Sequence, residues 1–328
     1  MVSALAGGAL VVLAAPSAGA SKAPKAPAAN WVELHPSTTP PSVSNATMTY
    51  DPATKQLVMF GGYHHGPTDQ TWVWTGSDWS QLHPATSPSP RRNAAMAFDA
   101  QTNQIILYGG SDSNQNDLGD TWSWNGTTWQ QLHPEHSPGG LSGSLMGYDG
   151  QTNQLVLYGG FNSSLGRGDT WTWNGTDWKN TNASNPRQNG GELAYDATNK
   201  ELVLYGAVGE VINTWNGTDW VLHHPPGHPY GRTYGKMSFD PQIGQVVLVT
   251  GGNSDHPFQE DTWTWNGTTW DRLDTATNPP PRWHAVMDYD ANTNQLVLFG
   301  GIDKDSKDLS DTWTLKVTAA SSGSSRAG

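Results

Sequence analysis

The stretch that decides the fold is IILYGG at 105–110, followed by DTWSWNGTTWQQL at 120–132. It combines an apolar strand ending in two glycines, a polar loop, a Thr-Trp-x-Trp strand, a tight turn and a last strand that begins with Trp. The same order recurs six times, and each copy is marked by the glycine that ends its apolar strand: Gly61, Gly109, Gly159, Gly206, Gly251 and Gly300. A regular spacing of this length, close to about 50 residues, indicates a repeat protein whose units pack on one another.

Each copy divides into four short strands, named a to d. Strand a is an apolar stretch such as AVMDYD at 285–290, strand b ends in the glycines, strand c contains Trp-x-Trp, and strand d contains Trp-x-x-Leu. Asn-Gly joins c to d at 125, 174, 216 and 266, which predicts a two-residue hairpin with positive φ at both residues. Six four-stranded antiparallel units predict an all-β, six-bladed β-propeller.

The double glycine after a hydrophobic strand, followed by spaced aromatic residues, resembles the kelch repeat. Over residues 31–317 the chain also resembles the central propeller of galactose oxidase, and the resemblance as a whole implies a secreted kelch protein of bacterial type. It implies a fold more than a function, because propellers host many activities. The chain has no cysteine, so it cannot form the Cys–Tyr cross-link on which the copper-radical chemistry of galactose oxidase depends.

The sixth copy lacks strand d, since the chain becomes Ser/Gly-rich soon after Leu315. The missing strand occurs near the N-terminus, where WVEL at 31–34 matches WSQL at 79–82. We therefore predict that residues 31–34 complete the last blade and close the ring, which removes the open sheet edges. The fourth copy is irregular, with Ala207 after Gly206 and Asn213 at the first Trp position, and we expect this blade to be the weakest or to carry a specialised loop.

The two ends of the chain predict an exported protein. Residues 1–20 contain an apolar run followed by Ala18-Gly19-Ala20, which has the form of a signal-peptidase site, so we expect a signal peptide cleaved after Ala20. Residues 21–30 indicate a Pro/Ala linker and residues 318–328 a disordered Ser/Gly tail. Because the apolar run is too short to cross a bilayer, we expect a secreted, extracellular protein without stable membrane insertion. We also expect a monomer.

Charge and composition argue against several function classes. A formal net charge of -12 argues against binding to nucleic acid, which requires an excess of Lys and Arg. The absence of cysteine excludes thiolate catalysis and Cys-ligated metals, and no dinucleotide, phosphate-loop, zinc-protease or GxSxG motif is present. The pair His64-His65 and the loop 112–117 are better explained as surface loops than as metal sites. The sequence therefore predicts no metal and no cofactor.

At least fifteen of the 17 Trp residues recur at the same three repeat positions, which predicts packing between blades rather than ligand stacking. Trp283 stands outside the pattern and is the better stacking candidate. Strand alternation places the long, variable b-to-c and d-to-a loops on one face, here called the top face. Because variable loops on a rigid scaffold commonly carry binding sites, the top face is the candidate functional surface.

The placement of arginine gives the most specific indication of a binding site on that face. Five of the eight arginines stand where the d-to-a loop enters strand a: Arg91, Arg92, Arg187, Arg232 and Arg282. This placement predicts a partial cationic ring around the central channel, suited to a carboxylate ligand, with Trp283, His284 and Tyr230 as further ligand-binding residues. The competing interpretation is that these arginines pair with neighbouring Asp or Glu and serve the fold.

Two functions are consistent with these features. The first is an extracellular, non-catalytic module that binds a glycan or protein ligand, with an anionic group, at the top face. The second is an enzyme acting on an acidic sugar in the arginine-lined funnel, by analogy with kelch-like N-acetylneuraminate epimerase and with sialidases, and Tyr234 is then the residue to suspect in catalysis. A carboxylate or similar acid–base group within reach of Tyr234 distinguishes the second function from the first.

Overall fold

The computed structural model describes residues 28–162, 165–166, 168–186, 191–206 and 211–318. All regular structure in these ranges is β-strand, arranged as six four-stranded antiparallel sheets and one two-stranded hairpin. The predicted six-bladed propeller is therefore confirmed. The predicted signal peptide, nearly all of the linker, Ala207 and the tail beyond Thr318 lie outside the described residues. Within them, no helix is long and apolar enough to cross a membrane.

Each blade uses four strands, with strand a innermost on the channel. Blade 1 comprises β2 (Thr47–Asp51), β3 (Gln56–Phe60), β4 (Thr71–Trp74) and β5 (Trp79–Leu82). Blade 2 comprises β6 (Ala95–Asp99), β7 (Gln104–Tyr108), β8 (Thr121–Trp124) and β9 (Trp129–Leu132). Blade 3 comprises β10 (Leu145–Asp149), β11 (Gln154–Tyr158), β14 (Thr170–Trp173) and β15 (Trp178–Asn180). The loop of blade 3 between β11 and β14 contains a small hairpin of β12 (Phe161–Asn162) and β13 (Leu165–Gly166).

Blade 4 comprises β16 (Glu192–Asp196), β17 (Glu201–Tyr205), β18 (Ile212–Trp215) and β19 (Trp220–His223). Blade 5 comprises β20 (Lys236–Asp240), β21 (Gln245–Val249), β22 (Thr262–Trp265) and β23 (Trp270–Leu273). Blade 6 comprises β24 (Val286–Asp290), β25 (Gln295–Phe299), β26 (Thr312–Val317) and the N-terminal β1 (Ala29–Leu34). In this sheet β1 pairs antiparallel with β26, and Trp31 lies opposite Leu315. The predicted closure by residues 31–34 is confirmed.

Neighbouring blades are joined by a repeated hydrogen bond between buried side chains. The indole Nε1 of the Trp that begins strand d donates to the Thr that begins strand c of the preceding blade, as from Trp129 to Thr71 at 3.0 Å and from Trp31 to Thr262 at 2.9 Å. Blade 4 has Ile212 at the Thr position, and the corresponding indole, that of Trp270, is buried without a partner in the described structure. The blade with the irregular sequence therefore also lacks this contact with blade 5.

Two local expectations were wrong. The c-to-d connection is a four-residue loop rather than a two-residue hairpin, since Trp124 pairs with Trp129. Only Gly126 has positive φ, while the Asn125 side chain accepts hydrogen bonds from the backbone N–H of Thr127 and Thr128. In blade 5 the position of the first strand-ending glycine belongs to Thr250, whose φ of 62° matches those of the glycines in other blades, and not to Gly251.

Candidate functional site

The d-to-a and b-to-c loops meet on one face, as the strand alternation predicts. Backbone bridges join the two kinds of loop in five blades, for example between Arg92 and Ser111, Ser142 and Phe161, and Trp283 and Ile302. These bridges precede strand a directly, so the top face is also the entrance to the central channel. The loop residues nearest the axis are therefore held by a regular backbone network.

Three of the predicted ligand-binding arginines are buried in ion pairs with Asp of the same blade. Arg91 reaches Asp120 at 2.7 Å, Arg232 reaches Asp261 at 2.9 Å, and Arg282 reaches Asp311 at 2.6 Å. Each Nη1 also donates to the carbonyl at the end of strand b. Because the three guanidinium groups are at most 1% exposed, the expected ring at the channel does not form from them. They hold the d-to-a loop against strands b and c.

The other two arginines differ from these three. Arg92 stacks over the ring of Tyr63, 5.2 Å from its centroid, and its Nε has no hydrogen-bond partner among the described atoms. Its charge is one of the causes that lower the pKa of the His284 imidazole, after burial and the charge of Lys236. Arg187 lies outside the described residues. Arg92 is thus the one predicted arginine that the described structure associates with the channel mouth.

A central channel with a volume of about 650 Å³ runs between the six innermost strands. One repeat position lines the mouth, and it is the second residue before strand a begins. The described occupants, all with left-handed backbone, are Asn45, Asn93, Gly143, Tyr234 and His284. Asn and Gly tolerate positive φ, whereas Tyr and His adopt it at a cost in free energy. Blades 5 and 6 therefore bear backbone strain to place an aromatic ring and an imidazole at the mouth.

Tyr234 and His284 contact each other at this position. Their ring centroids are 4.0 Å apart, with the planes inclined by 37°, and Tyr234 remains 41% exposed. Burial, aided by the charges of Lys236 and Arg92, lowers the pKa of His284 to about 4. The imidazole is therefore neutral at physiological pH, and it offers both a hydrogen-bond donor and an acceptor.

Polar side chains continue down one wall of the channel. Just below the mouth, Lys236 Nζ lies 2.8 Å from a carboxylate oxygen of Glu192. Further down, Asp288 accepts hydrogen bonds from Ser238 Oγ and from the backbone N–H of Tyr50, both at 2.9 Å. Burial raises the pKa of Glu192 and of Asp288, although their hydrogen-bond partners oppose this.

Blades 1 to 3 form the other wall of the channel, and the residues of this wall that line the channel carry no charge. At the equivalent positions, blades 2 and 3 carry Ala95 and Ala97, and Leu145 and Gly147. Blade 1 carries Thr47 and Thr49 at these positions, and a Cβ on Gly147 would lie only 2.6 Å from a methyl carbon of Leu202 in blade 4. A molecule that enters the channel therefore meets charged, hydrogen-bonding side chains on one wall and uncharged side chains on the other.

The remaining predicted residues flank the mouth outside the channel lining. Trp283 stacks on Phe258 with centroids 4.4 Å apart, and Tyr230 stacks on His256 at 3.9 Å. Of the loops considered as metal sites, His64 Nδ1 contacts the carbonyl oxygen of Ser42, and Asp112 accepts hydrogen bonds from its own loop. No three His, Asp or Glu side chains converge on a possible metal position within the described ranges.

Sequence reasoning missed the acidic and basic channel residues, of which Lys236, Glu192 and Asp288 are the main ones. The available signal was the alignment of strand a between copies. Positions that carry Thr, Ala, Leu or Val in blades 1 to 3 and 6 carry Glu192 and Lys236 in blades 4 and 5. A charge placed at the innermost edge of one strand in a repeat protein marks the axis more directly than the arginines do.

No family model matches the chain, and no curated protein sequence is similar to it. Solved structures do match. The structure titled "Structure of YjhT" superposes with a TM-score of 0.63 at 15% identity, over 84% of this chain and 95% of that one. At this identity the likeness shows a shared propeller fold, which is consistent with either a binding module or an enzyme.

Proposed function

We propose that this protein is a kelch-type, exported binding module that holds the anionic group of a glycan at the mouth of the central channel. The observation that carries the proposal is the left-handed backbone at Tyr234 and His284. Three equivalent positions use Asn or Gly, so the fold itself does not require these two larger side chains. Strain that persists at a cleft is a recognised mark of function.

The cations for the anionic group are Lys236 and Arg92, in place of the buried arginines. Both act on His284 electrostatically, so their field reaches the mouth of a protein whose net charge is otherwise -12. Cations in a partly enclosed site attract and orient an anion far more strongly than the same charges on an open surface. The neutral His284 and the amides of Asn45 and Asn93 supply hydrogen bonds for hydroxyl groups.

The proposal is tested by calorimetric titration with glucuronate, galacturonate and N-acetylneuraminate, and with glucose and galactose as neutral counterparts. We expect only the acids to bind, and Lys236→Met to weaken binding by about tenfold or more, as for a charge-assisted hydrogen bond. The matched control is Lys179→Met, which removes an exposed cation from strand d of blade 3. Lys236→Met/Glu192→Gln avoids an unpaired carboxylate if the single variant folds poorly.

Two results contradict the proposal. One is equal binding of neutral and acidic sugars, and the other is an unchanged dissociation constant in both Lys236 variants. Binding of acidic peptides instead of sugars would place the protein among modules for protein ligands.

A second function is favoured by one specific observation. Glu192 and Asp288, two carboxyl groups whose pKa values burial raises, share the channel with Tyr234 and the neutral His284. Carboxyl groups with a raised pKa, held beside a phenol and a neutral imidazole, are the kinds of group that act as general acids and bases. An enzyme acting on an acidic sugar is therefore the alternative, and its test is turnover of the same sugars, followed by NMR at substoichiometric protein and compared with Asp288→Asn.

A further inference from the structure

Blade 3 lacks a side chain at the mouth, and a ring from another loop takes that place. The mouth residue of this blade is Gly143, and a Cβ there would lie 3.5 Å from Cδ2 of Phe161. Phe161 begins the hairpin of β12 and β13, and two backbone hydrogen bonds, of 2.8 and 3.0 Å, join it to Ser142. Its ring therefore covers Gly143 at the channel entrance.

Phe161 remains 45% exposed, although it is large and apolar. It lines the channel together with Tyr234 and His284. In a ring of six blades, blade 3 lies opposite blade 6, so Phe161 lies across the mouth from His284. Between them on one side are blades 1 and 2, which contribute the amides of Asn45 and Asn93.

This arrangement suits one chemical class better than others. A sugar ring has an apolar face of C–H groups that packs on aromatic rings, and an edge of hydroxyl groups that hydrogen-bonds to amides and imidazole. Phe161, the Tyr234–His284 pair and the two amides all line the channel at its mouth, and Lys236 lies below them. A ring held between the aromatic groups can direct a carboxylate toward Lys236.

The position of the mouth also restricts which part of a chain can enter. The mouth opens into a channel between the six innermost strands, so a ring enters it along the propeller axis, whereas the middle of a polysaccharide requires a cleft open at both ends. We propose that Phe161 is a stacking platform for the terminal ring of an acidic saccharide, which enters the channel end-first. This inference rests on the proposed function and adds the substrate class and the mode of entry.

The test uses galacturonate and its linear dimer and trimer as probes, with binding measured by calorimetry and by saturation-transfer NMR. Phe161→Ala should weaken binding of all three by about three- to tenfold, the range for one aromatic contact, and should remove the upfield shift of the ring C–H signals. Phe161→Tyr should retain both. Leu222→Ala, at a residue 55% exposed on the outer strand of blade 4, is the control and should change neither.

End-first entry predicts dissociation constants for the three probes that agree within about twofold, since only one ring contacts the site. A steady gain in affinity with each added unit would overturn it in favour of binding along the chain. If Lys236→Met weakens binding but Phe161→Ala does not, the stacking inference is wrong and the proposed function stands. If none of these probes and none of the acidic monosaccharides binds the wild-type protein, both are wrong.

Discussion

Replacing Arg282 by Val tests the conclusion that the buried arginines Arg91, Arg232 and Arg282 serve the fold. Arg282 is completely buried, and it donates to both carboxylate oxygens of Asp311 at 2.6 and 2.7 Å. It also donates to the backbone carbonyls of Gly300 and Pro280, each at 3.0 Å. The substitution leaves a carboxylate and two carbonyls without these donors in the interior of blade 6.

Breaking a buried ion pair on one side costs about 3–5 kcal/mol of unfolding free energy. Asp311 is 22% exposed and keeps a hydrogen bond from the indole of Trp313, so water can compensate in part. We therefore expect the lower end, about 3 kcal/mol. The measurement is urea unfolding at pH 7, followed by tryptophan fluorescence, and the exposed Arg272 replaced by Val should stay within about 0.5 kcal/mol of the parent.

The loss should also depend on pH. Burial raises the pKa of Asp311, but the hydrogen bonds and charge of Arg282 outweigh burial and hold it below the ordinary value. A carboxyl with a lowered folded-state pKa stabilises the protein above its unfolded-state pKa of about 4, and this stabilisation is lost as the pH falls below that value. The difference between the parent and Arg282→Val should therefore shrink between about pH 5 and pH 3.

Blade 1 shows which second substitution should restore the stability of Arg282→Val. It has Val43 and Gln70 where blade 6 has Arg282 and Asp311, and Gln70 accepts a hydrogen bond from the Trp72 indole at 2.8 Å. Arg282→Val/Asp311→Gln should recover at least half of the lost stability. A structural role for Arg282 is refuted if the single variant unfolds within about 1 kcal/mol of the parent, or if the double variant is no more stable than the single one.

Three further predictions concern the mouth, the blade contacts and the closure. His284→Asn should relieve the strained backbone and raise the unfolding free energy by about 0.5–1 kcal/mol. In the parent, protonation of this histidine in the unfolded state lowers the stability as the pH falls from about 6.5 to about 4, and the variant should lose this pH dependence. A destabilised variant would contradict this prediction. Ile212→Thr should give the buried Trp270 indole a hydrogen-bond partner and raise the melting temperature in calorimetry, because a buried donor without a partner costs about 1–3 kcal/mol. A lower melting temperature would show that the loss of methyl packing dominates. Trp31→Ala should cost about 3–5 kcal/mol in denaturant unfolding, and deletion of residues 30–36 should cause aggregation; a deletion that melts with the parent would show that β1 is dispensable for the ring.

The fold could be predicted from the sequence because every blade repeats the same packing solution. Apolar strands, Trp-x-Trp and the displaced WVEL strand each specify a position in the ring, and together they specify the closure. The errors were local. Thr250 adopts a backbone conformation that the sequence suggests only for glycine, and the Asn125 loop is stabilised by a side-chain cap that a two-residue pattern does not reveal.

The loops of the top face could be predicted from the sequence, but the side chains that reach the channel could not. Arg91, Arg232 and Arg282 each precede an Asp by 29 residues, as Arg91 precedes Asp120, and this constant separation was the sign that these three are paired internally. Which side chains reach the axis depends on strand register and loop contacts. Phe161 is the clearest example, since it enters the mouth from a loop of variable sequence.

A crystal structure of the protein with bound galacturonate is the most direct test of the central claim that the channel mouth is the ligand site. We predict one sugar ring at the mouth, with its carboxylate within about 3 Å of Lys236 Nζ and its apolar face against Phe161. A sugar bound elsewhere, such as along the outer strands, with the channel mouth filled only by solvent, would contradict this claim.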